Sequence, residues 1–338
     1  MASKYLACLL VCLSGSAWAQ IDDLYNADVT EYQDISNPAE AVKAAEGQWL
    51  AFSMPVLEGT RSPCCWKGKW GVMGEVGCGL APGHTSYGSR SDSPLVDEAI
   101  VYASIRDGRV HKLRVMGTHC PVDGNGEQVA WIGEVDENAG MDWLEGIARA
   151  DDSDGALYAL ALHRSDGAAK RLYSLARDTD KERGSEAVFW LGEARGEQGF
   201  NFLERLLGEL PRGDRRREIN FALSQNDSPE AAQLLLEISK SDRDPEQRGE
   251  ALFWLAQEYP NEAKGWLKEV IAAEQDEDIL EKAVFAVSQL PGEDSSRMLL
   301  DIARDKQAPR EARRQALFWL AQSDDDEAVA ALADLLTR

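Results

Sequence analysis

Histidine is scarce, with four in 338 residues, and cations are outnumbered: 36 Lys and Arg face 59 Asp and Glu. So few histidines leave no room for a His-rich metal centre. A net charge of −23 argues against a general binder of nucleic acid or anionic membrane, since both reward clustered Lys and Arg. The sequence lacks G-x-S-x-G, H-E-x-x-H and Walker motifs, so serine-hydrolase, zinc-protease and P-loop chemistries have no sequence support. It also lacks any run of about 18 consecutive apolar residues, the length a membrane-spanning helix needs. What is present is enough apolar material, 44% of residues, to bury a sizeable core.

The first residues read as an export signal. Lys4 gives a positive start, Leu6 to Leu13 a short apolar stretch, and Ala17-Trp18-Ala19 a small-residue cleavage site. Residues 1–19 are therefore expected to be a signal peptide. Cleavage near Ala19-Gln20 would leave an exported, periplasmic or extracellular protein. Cleavage removes Lys4 and no acid, which takes the charge to about −24. It also removes Cys8 and Cys12. Cys64, Cys65, Cys78 and Cys120 remain, an even number in an oxidising compartment, and two disulfides are expected. Joining vicinal Cys64 to Cys65 would close a strained ring, so each is expected to pair with Cys78 or Cys120, in either order. Neither C-x-x-C nor zinc-knuckle spacing occurs, and no metal or cofactor is expected.

Residues 20–46 form an N-terminal extension with a short helix expected over Pro38 to Glu46. Residues 47–140 read as a small β-rich cystine domain. Its clearest feature is a hairpin, Ile100 to Arg106 and Arg109 to Met116, joined by Asp107-Gly108. Further strands are expected at Gln48 to Met54, Lys69 to Val76 and Gln128 to Ile132. A polar loop is expected over Ala81 to Pro94, and a hairpin turn at Asp123 to Glu127.

Residues 141–338 carry a repeat. Tyr158, Phe189, Phe221, Phe253, Phe285 and Phe318 lie 31, 32, 32, 32 and 33 residues apart. Fourteen residues after each comes a leucine (Leu172, Leu203, Leu235, Leu267, Leu299, Leu332), and three further on another apolar residue. Each copy is thus one helix, a turn, and a second helix with an i, i+3 stripe. A single hairpin cannot bury both stripes, but stacked neighbours can. Asp-Pro-Glu-x-Arg at Asp244 to Arg248, followed by Ala-Leu-Phe-Trp-Leu at Ala251 to Leu255, resembles HEAT repeats of the phycobilisome-lyase-like type. More loosely, the chain looks like exported bacterial HEAT-repeat proteins. The resemblance implies scaffold architecture and protein-binding potential, and no reaction. The expected fold is an all-α solenoid of about six HEAT-like hairpins after a small disulfide-stabilised β-rich domain, an α+β multidomain chain.

Enzyme relatives of this type lack their chemistry here. Deoxyhypusine hydroxylase resembles the chain in fold but holds iron through repeated His-Glu pairs, whereas these repeats contain only His163, followed by Arg164. Bilin lyases act on cytosolic antenna proteins, which an export signal contradicts. Trp190, Trp254 and Trp319 follow the aromatic in repeats 2, 4 and 6, where Ala159, Ala222 and Ala286 stand in repeats 1, 3 and 5. Large-over-small packing explains such alternation, and an aromatic ladder gripping peptide or glycan is the alternative. Gln225, Gln257, Gln289 and Gln322 recur four residues after the aromatic. They suit helix-end capping, or a polar strip reading a partner's backbone. Arg212, Arg215, Arg216 and Arg217 suit internal ion pairs, with an anion site as the alternative. The acidic runs Asp151 to Asp154 and Asp324 to Asp326 lack calcium-loop spacing and read as caps and turns.

The leading expectation is a non-enzymatic exported scaffold that binds an unknown protein partner in the cell envelope, with no nucleic acid and no transmembrane segment in the mature chain. The alternative is a ligand-binding or enzymatic module in the β-rich domain, using His111 or His119, with the solenoid as a docking arm.

Overall fold

The computed structural model describes residues 21, 23–66, 77–80, 86–88, 91–150, 155–211, 213–323, 330 and 332–333. The expected signal peptide, the Lys69 to Val76 strand and both acidic runs lie outside them. The chain divides into two compact units between Gly140 and Met141.

The first unit contains β1 (Leu24–Tyr25), β2 (Asp28–Glu31), α1 (Pro38–Ala41), β3 (Trp49–Pro55), β4 (Cys64–Trp66), β5 (Cys78–Gly79), β6 (Ser86–Gly88), β7 (Glu98–Arg106), β8 (Arg109–Gly117), β9 (Val122–Asp123) and β10 (Gln128–Glu134). Its main sheet runs β2-β10-β3-β7-β8, antiparallel among β3, β7 and β8 and parallel where β10 lies between β2 and β3. The hairpin forms around Asp107 and Gly108, at φ 52° and 68°, and the Glu46 carboxylate accepts both turn N–H groups at 2.7 and 2.8 Å. Asp-Gly suits this turn because both central residues need positive φ.

Three expectations change. The helix from Pro38 stops at Ala41 rather than Glu46, because the chain turns through Gly47, at φ 73°, to enter β3. The loop expected over Ala81 to Pro94 contains strand β6, which pairs with β4. Residues 123–127 form no hairpin: β9 belongs to a small parallel sheet, β1-β9-β5, while β10 joins the main one. The two disulfides are Cys64–Cys120 and Cys65–Cys78, with Cα atoms 5.3 and 4.9 Å apart. All four cysteines are buried, in one apolar cluster with Trp49, Tyr102, Met116 and Trp131.

The second unit takes in α2 (Glu137–Ala148) from Met141 onward, then α3 (Ala156–Leu162), α4 (Asp166–Ala176), α5 (Lys181–Ala194), α6 (Gly196–Glu209), α7 (Asp214–Ser224), α8 (Pro229–Ser241), α9 (Pro245–Glu258), α10 (Pro260–Ala273), α11 (Glu277–Ser288), α12 (Glu293–Arg304) and α13 (Arg310–Ala321). The odd-numbered helices from α3 are the first helices of six repeats, and the even-numbered ones from α4 to α12 are the second helices of five. Leu172, Leu203, Leu235, Leu267 and Leu299 are buried between the layers, as is Leu332. Asp180, Ser228, Asp244 and Asp276 cap helix starts through side-chain oxygens, as short polar residues do when orphan N–H groups need acceptors. Successive first helices pack on one another directly, whereas successive second helices barely touch. A stack bends toward its tighter layer, so the first helices line the concave side of this unit.

Side chains reach between repeats to finish helix ends. Asn226, buried, donates to the carbonyls of Gly192 and Gly196 at 3.0 and 2.9 Å. Arg195, also buried, donates to the carbonyls of His163 and Ser165 at 2.6 and 3.1 Å. Arg216 donates through Nε to the Leu207 carbonyl at 3.0 Å and through its other nitrogens to both Asp242 oxygens at 3.1 and 2.6 Å. Arg248 repeats the arrangement with the Ser239 carbonyl and Glu274. Arg215 and Arg217 are likewise internally bonded, to the Asp178 and Asp180 carbonyls and to Asp214 and Glu250. Arg212 lies outside the described residues.

Candidate functional site

In each first helix the residue before the aromatic and the residue two after it turn inward. Leu157 and Leu160, Val188 and Leu191, Leu252 and Leu255, and Val284 and Val287 are all buried. Helical spacing then leaves the aromatic and its successor at the rim of that buried stripe. The rings meet across repeats.

Tyr158 contacts Trp190 at 4.9 Å, Phe189 contacts Phe221 at 5.9 Å, and Phe221 contacts Trp254 at 4.6 Å. Phe253 contacts Phe285 at 5.9 Å, and Phe285 contacts Trp319 at 5.2 Å. Within a helix Phe189–Trp190, Phe253–Trp254 and Phe318–Trp319 stand edge to face, at 4.8, 4.9 and 5.2 Å. Nine rings therefore run without a break from Tyr158 to Phe318 across six repeats. Each tryptophan lies against the ring of the preceding repeat, the repeat in which buried Ala159, Ala222 or Ala286 takes the tryptophan's place. Large-over-small packing is present, but it does not bury the row. Every ring from Tyr158 to Phe285, and Trp319 as well, keeps part of its surface in solvent, and Phe318 is 53% exposed.

The glutamines sit beside the row at the helix ends. Gln225, Gln289 and Gln322 occupy C-cap positions, where their backbone N–H groups, not their side chains, satisfy helix carbonyls. The side-chain amides of Gln225 and Gln289 donate to the hydroxyls of Ser224 and Ser288 at 3.1 and 3.0 Å. Those hydroxyls donate in turn to the Phe221 and Phe285 carbonyls. Gln257 remains inside α9 and is exposed.

Carboxylates share the face. Glu186, Glu218 and Glu250 each stand three residues before a ring, in line with it on the helix surface. Glu186 accepts the Trp190 indole N–H at 3.2 Å. Glu218 has one oxygen buried without a hydrogen-bond partner among the described residues. Burial pushes the Glu250 carboxyl above the usual carboxylate range, against the pull of Arg217, while burial and then Asp227 push Glu193 the same way. The buried indole N–H of Trp319 also has no acceptor among the described residues.

Elsewhere the candidates for chemistry stay apart. His111 on β8 and His119 near Cys120 are both exposed. His163 is buried and accepts the Ser165 N–H through Nδ1 at 3.1 Å. Cys64, Cys78 and Cys120 bring their sulfurs within 4.8 Å of one another, but disulfide bonds occupy them. Sequence reading missed the glutamates and the inter-repeat bonds of Asn226 and Arg195. The glutamates carried the same 32-residue register as the rings.

Residues 312–338 match the family model of the PBS lyase HEAT-like repeat. That match begins within α13, in the last of the six repeats. Solved structures similar to this chain include AlkD2 from Streptococcus mutans, at 14% identity and TM-score 0.39, covering 56% of this chain and 100% of that one. The complex of CpcE and CpcF of phycocyanin lyase from Nostoc is similar at 16% identity and TM-score 0.29, covering 51% and 99%. Human deoxyhypusine hydroxylase is similar at 14% identity and TM-score 0.26, covering 60% and 96%. A comparison with curated proteins finds no match. No helix among the described residues is long and apolar enough to cross a membrane.

Proposed function

We propose that this chain is an exported binding scaffold whose concave HEAT-like face takes a segment of a protein partner in the cell envelope. The unbroken row of partly exposed rings from Tyr158 to Phe318 carries the reading. Contiguous aromatic surface left in water marks interaction sites, and Trp and Tyr dominate their energetics. Export is supported by the leader-like first 19 residues and by two disulfides, which persist in oxidising compartments.

Two measurements test the reading. Sequencing the protein's N-terminus after expression in a bacterial host with a periplasm should find Gln20 first; an intact Met1 would remove export. A photocrosslinking residue at Phe318 should capture a partner that the same residue at exposed Lys268, on second helix α10, does not. Equal capture at both positions would remove the concave face as the docking site.

A further inference from the structure

We propose that the segment bound on the ring row is basic, with Lys or Arg interspersed among apolar side chains. The proposal rests on the docking reading above and adds the partner's chemistry.

The first-helix face is acidic beyond what its own cations neutralise. Seven residues before the ring, repeats 2 to 6 carry Glu182, Asp214, Glu246, Asp278 and Glu311, all on the ring's side of the helix. Repeats 2 to 4 add Glu186, Glu218 and Glu250. Lys181, Arg217, Lys282 and Arg314 already bond acids of this face, Lys181 and Arg217 sharing Asp214, and Arg310 stands next to Glu311, which leaves these five cations against eight acids. Arg217 bonds Asp214 at 2.5 Å, Lys282 bonds Glu246 at 2.8 Å, and Arg314 bonds Glu311 at 2.6 Å. The surplus is therefore negative, and part of it is held away from water. Glu218 buries an oxygen without a partner among the described residues, and burial raises Glu250.

A carboxylate desolvated beside aromatic rings gains from a cation placed over those rings. The cation meets the carboxylate by Coulomb attraction and the ring faces by cation–π attraction. An acidic segment would add like charges to the same strip, and a neutral apolar one would leave the surplus unanswered. Spacing agrees with a polypeptide. Packed helices lie about 8–10 Å apart and an extended chain rises about 3.3 Å per residue, so roughly three residues of an extended segment span one repeat. A segment that offers one basic and one apolar side chain in every three residues would then meet an acid and a ring at each repeat.

The test titrates the full-length protein with labelled peptides of about fifteen residues, enough to span most of the row. One carries lysines and leucines, a second replaces lysine by glutamate, and a third keeps the lysines and replaces leucine by serine. The first should bind, and the other two should bind at least about tenfold more weakly, the ratio expected from a few surface charge pairs or one lost apolar anchor. E186Q/E218Q/E250Q, nearly isosteric and checked for an unchanged helical melt, should weaken the first peptide by about tenfold. F318S, altering a ring already in solvent, should weaken it too. Equal binding of the glutamate peptide, or an unaffected Gln variant, would overturn the charge assignment while leaving the docking surface standing. Failure of all three peptides, together with equal crosslinking at positions 318 and 268, would overturn the docking reading as well.

Discussion

The carbonyl oxygen of Ala222 occupies the space that a side chain on Gly192 would need: a Cβ there would lie 2.1 Å from it. Gly192 is on α5 and Ala222 on α7, so this contact sets how closely two first helices approach, and with them the rings of Phe189 and Phe221. Gly192→Ala should destabilise the helical unit by about 3 kcal/mol, the upper range for overpacking. Gly265, exposed within α10 with nothing within 4 Å of a Cβ, should behave oppositely. Gly265→Ala should add about 0.5–1 kcal/mol through helix propensity. Urea melts followed by far-ultraviolet circular dichroism would read both.

Asn226 closes the end of the preceding repeat's first helix, and its Oδ1 also accepts the Ser228 N–H at 3.0 Å. Asn226→Ala would strand buried carbonyls, costing about 2–3 kcal/mol. Hydrogen exchange should quicken at the α5–α6 junction before it quickens in α11 or α12.

The rhythm of the helical unit was plain in the sequence, because a ring and a leucine fourteen residues later recur in all six copies and only a stacked solenoid buries both. The Asp107-Gly108 hairpin was legible for a local reason, positive φ at two successive residues. What escaped depended on distance. No local rule places β10 in parallel between β2 and β3, or chooses between Cys78 and Cys120 as the partner of Cys65. Glu186, Glu218 and Glu250 were visible as letters. Acids in a repeat read as solvated caps until the helices show them in line with the rings.

Acid should weaken the helical unit in a way traceable to Asp178. The Asp180 backbone N–H holds its carboxyl below the ordinary value, with Arg183 and Arg149 adding to the effect. A lowered carboxyl binds its proton less tightly in the folded chain than in the unfolded one. Its contribution is therefore complete above the unfolded pKa, about 4, and is lost as pH falls through the folded value. Asp178→Asn should lower the melting temperature at pH 7 and flatten its decline below about pH 4. Equal slopes for both proteins would exclude Asp178 as the source.

The disulfides close segments with sequence separations of 56 and 13 residues. On chain entropy they contribute about 4 and 3 kcal/mol to the β-rich unit. Non-reducing peptide mapping should recover Cys64 joined to Cys120 and Cys65 joined to Cys78. Reductant should lower the melt of this unit and leave the helical unit's transition in place.

Hydrogen exchange of the full-length protein with and without the lysine–leucine peptide tests the central claim most directly, because it reports which layer of the solenoid meets the ligand. Slowed exchange across α5, α7 and α9, with α6, α8 and α10 unchanged, is the predicted result. Protection confined to the second helices, or to the β-rich unit, would contradict it.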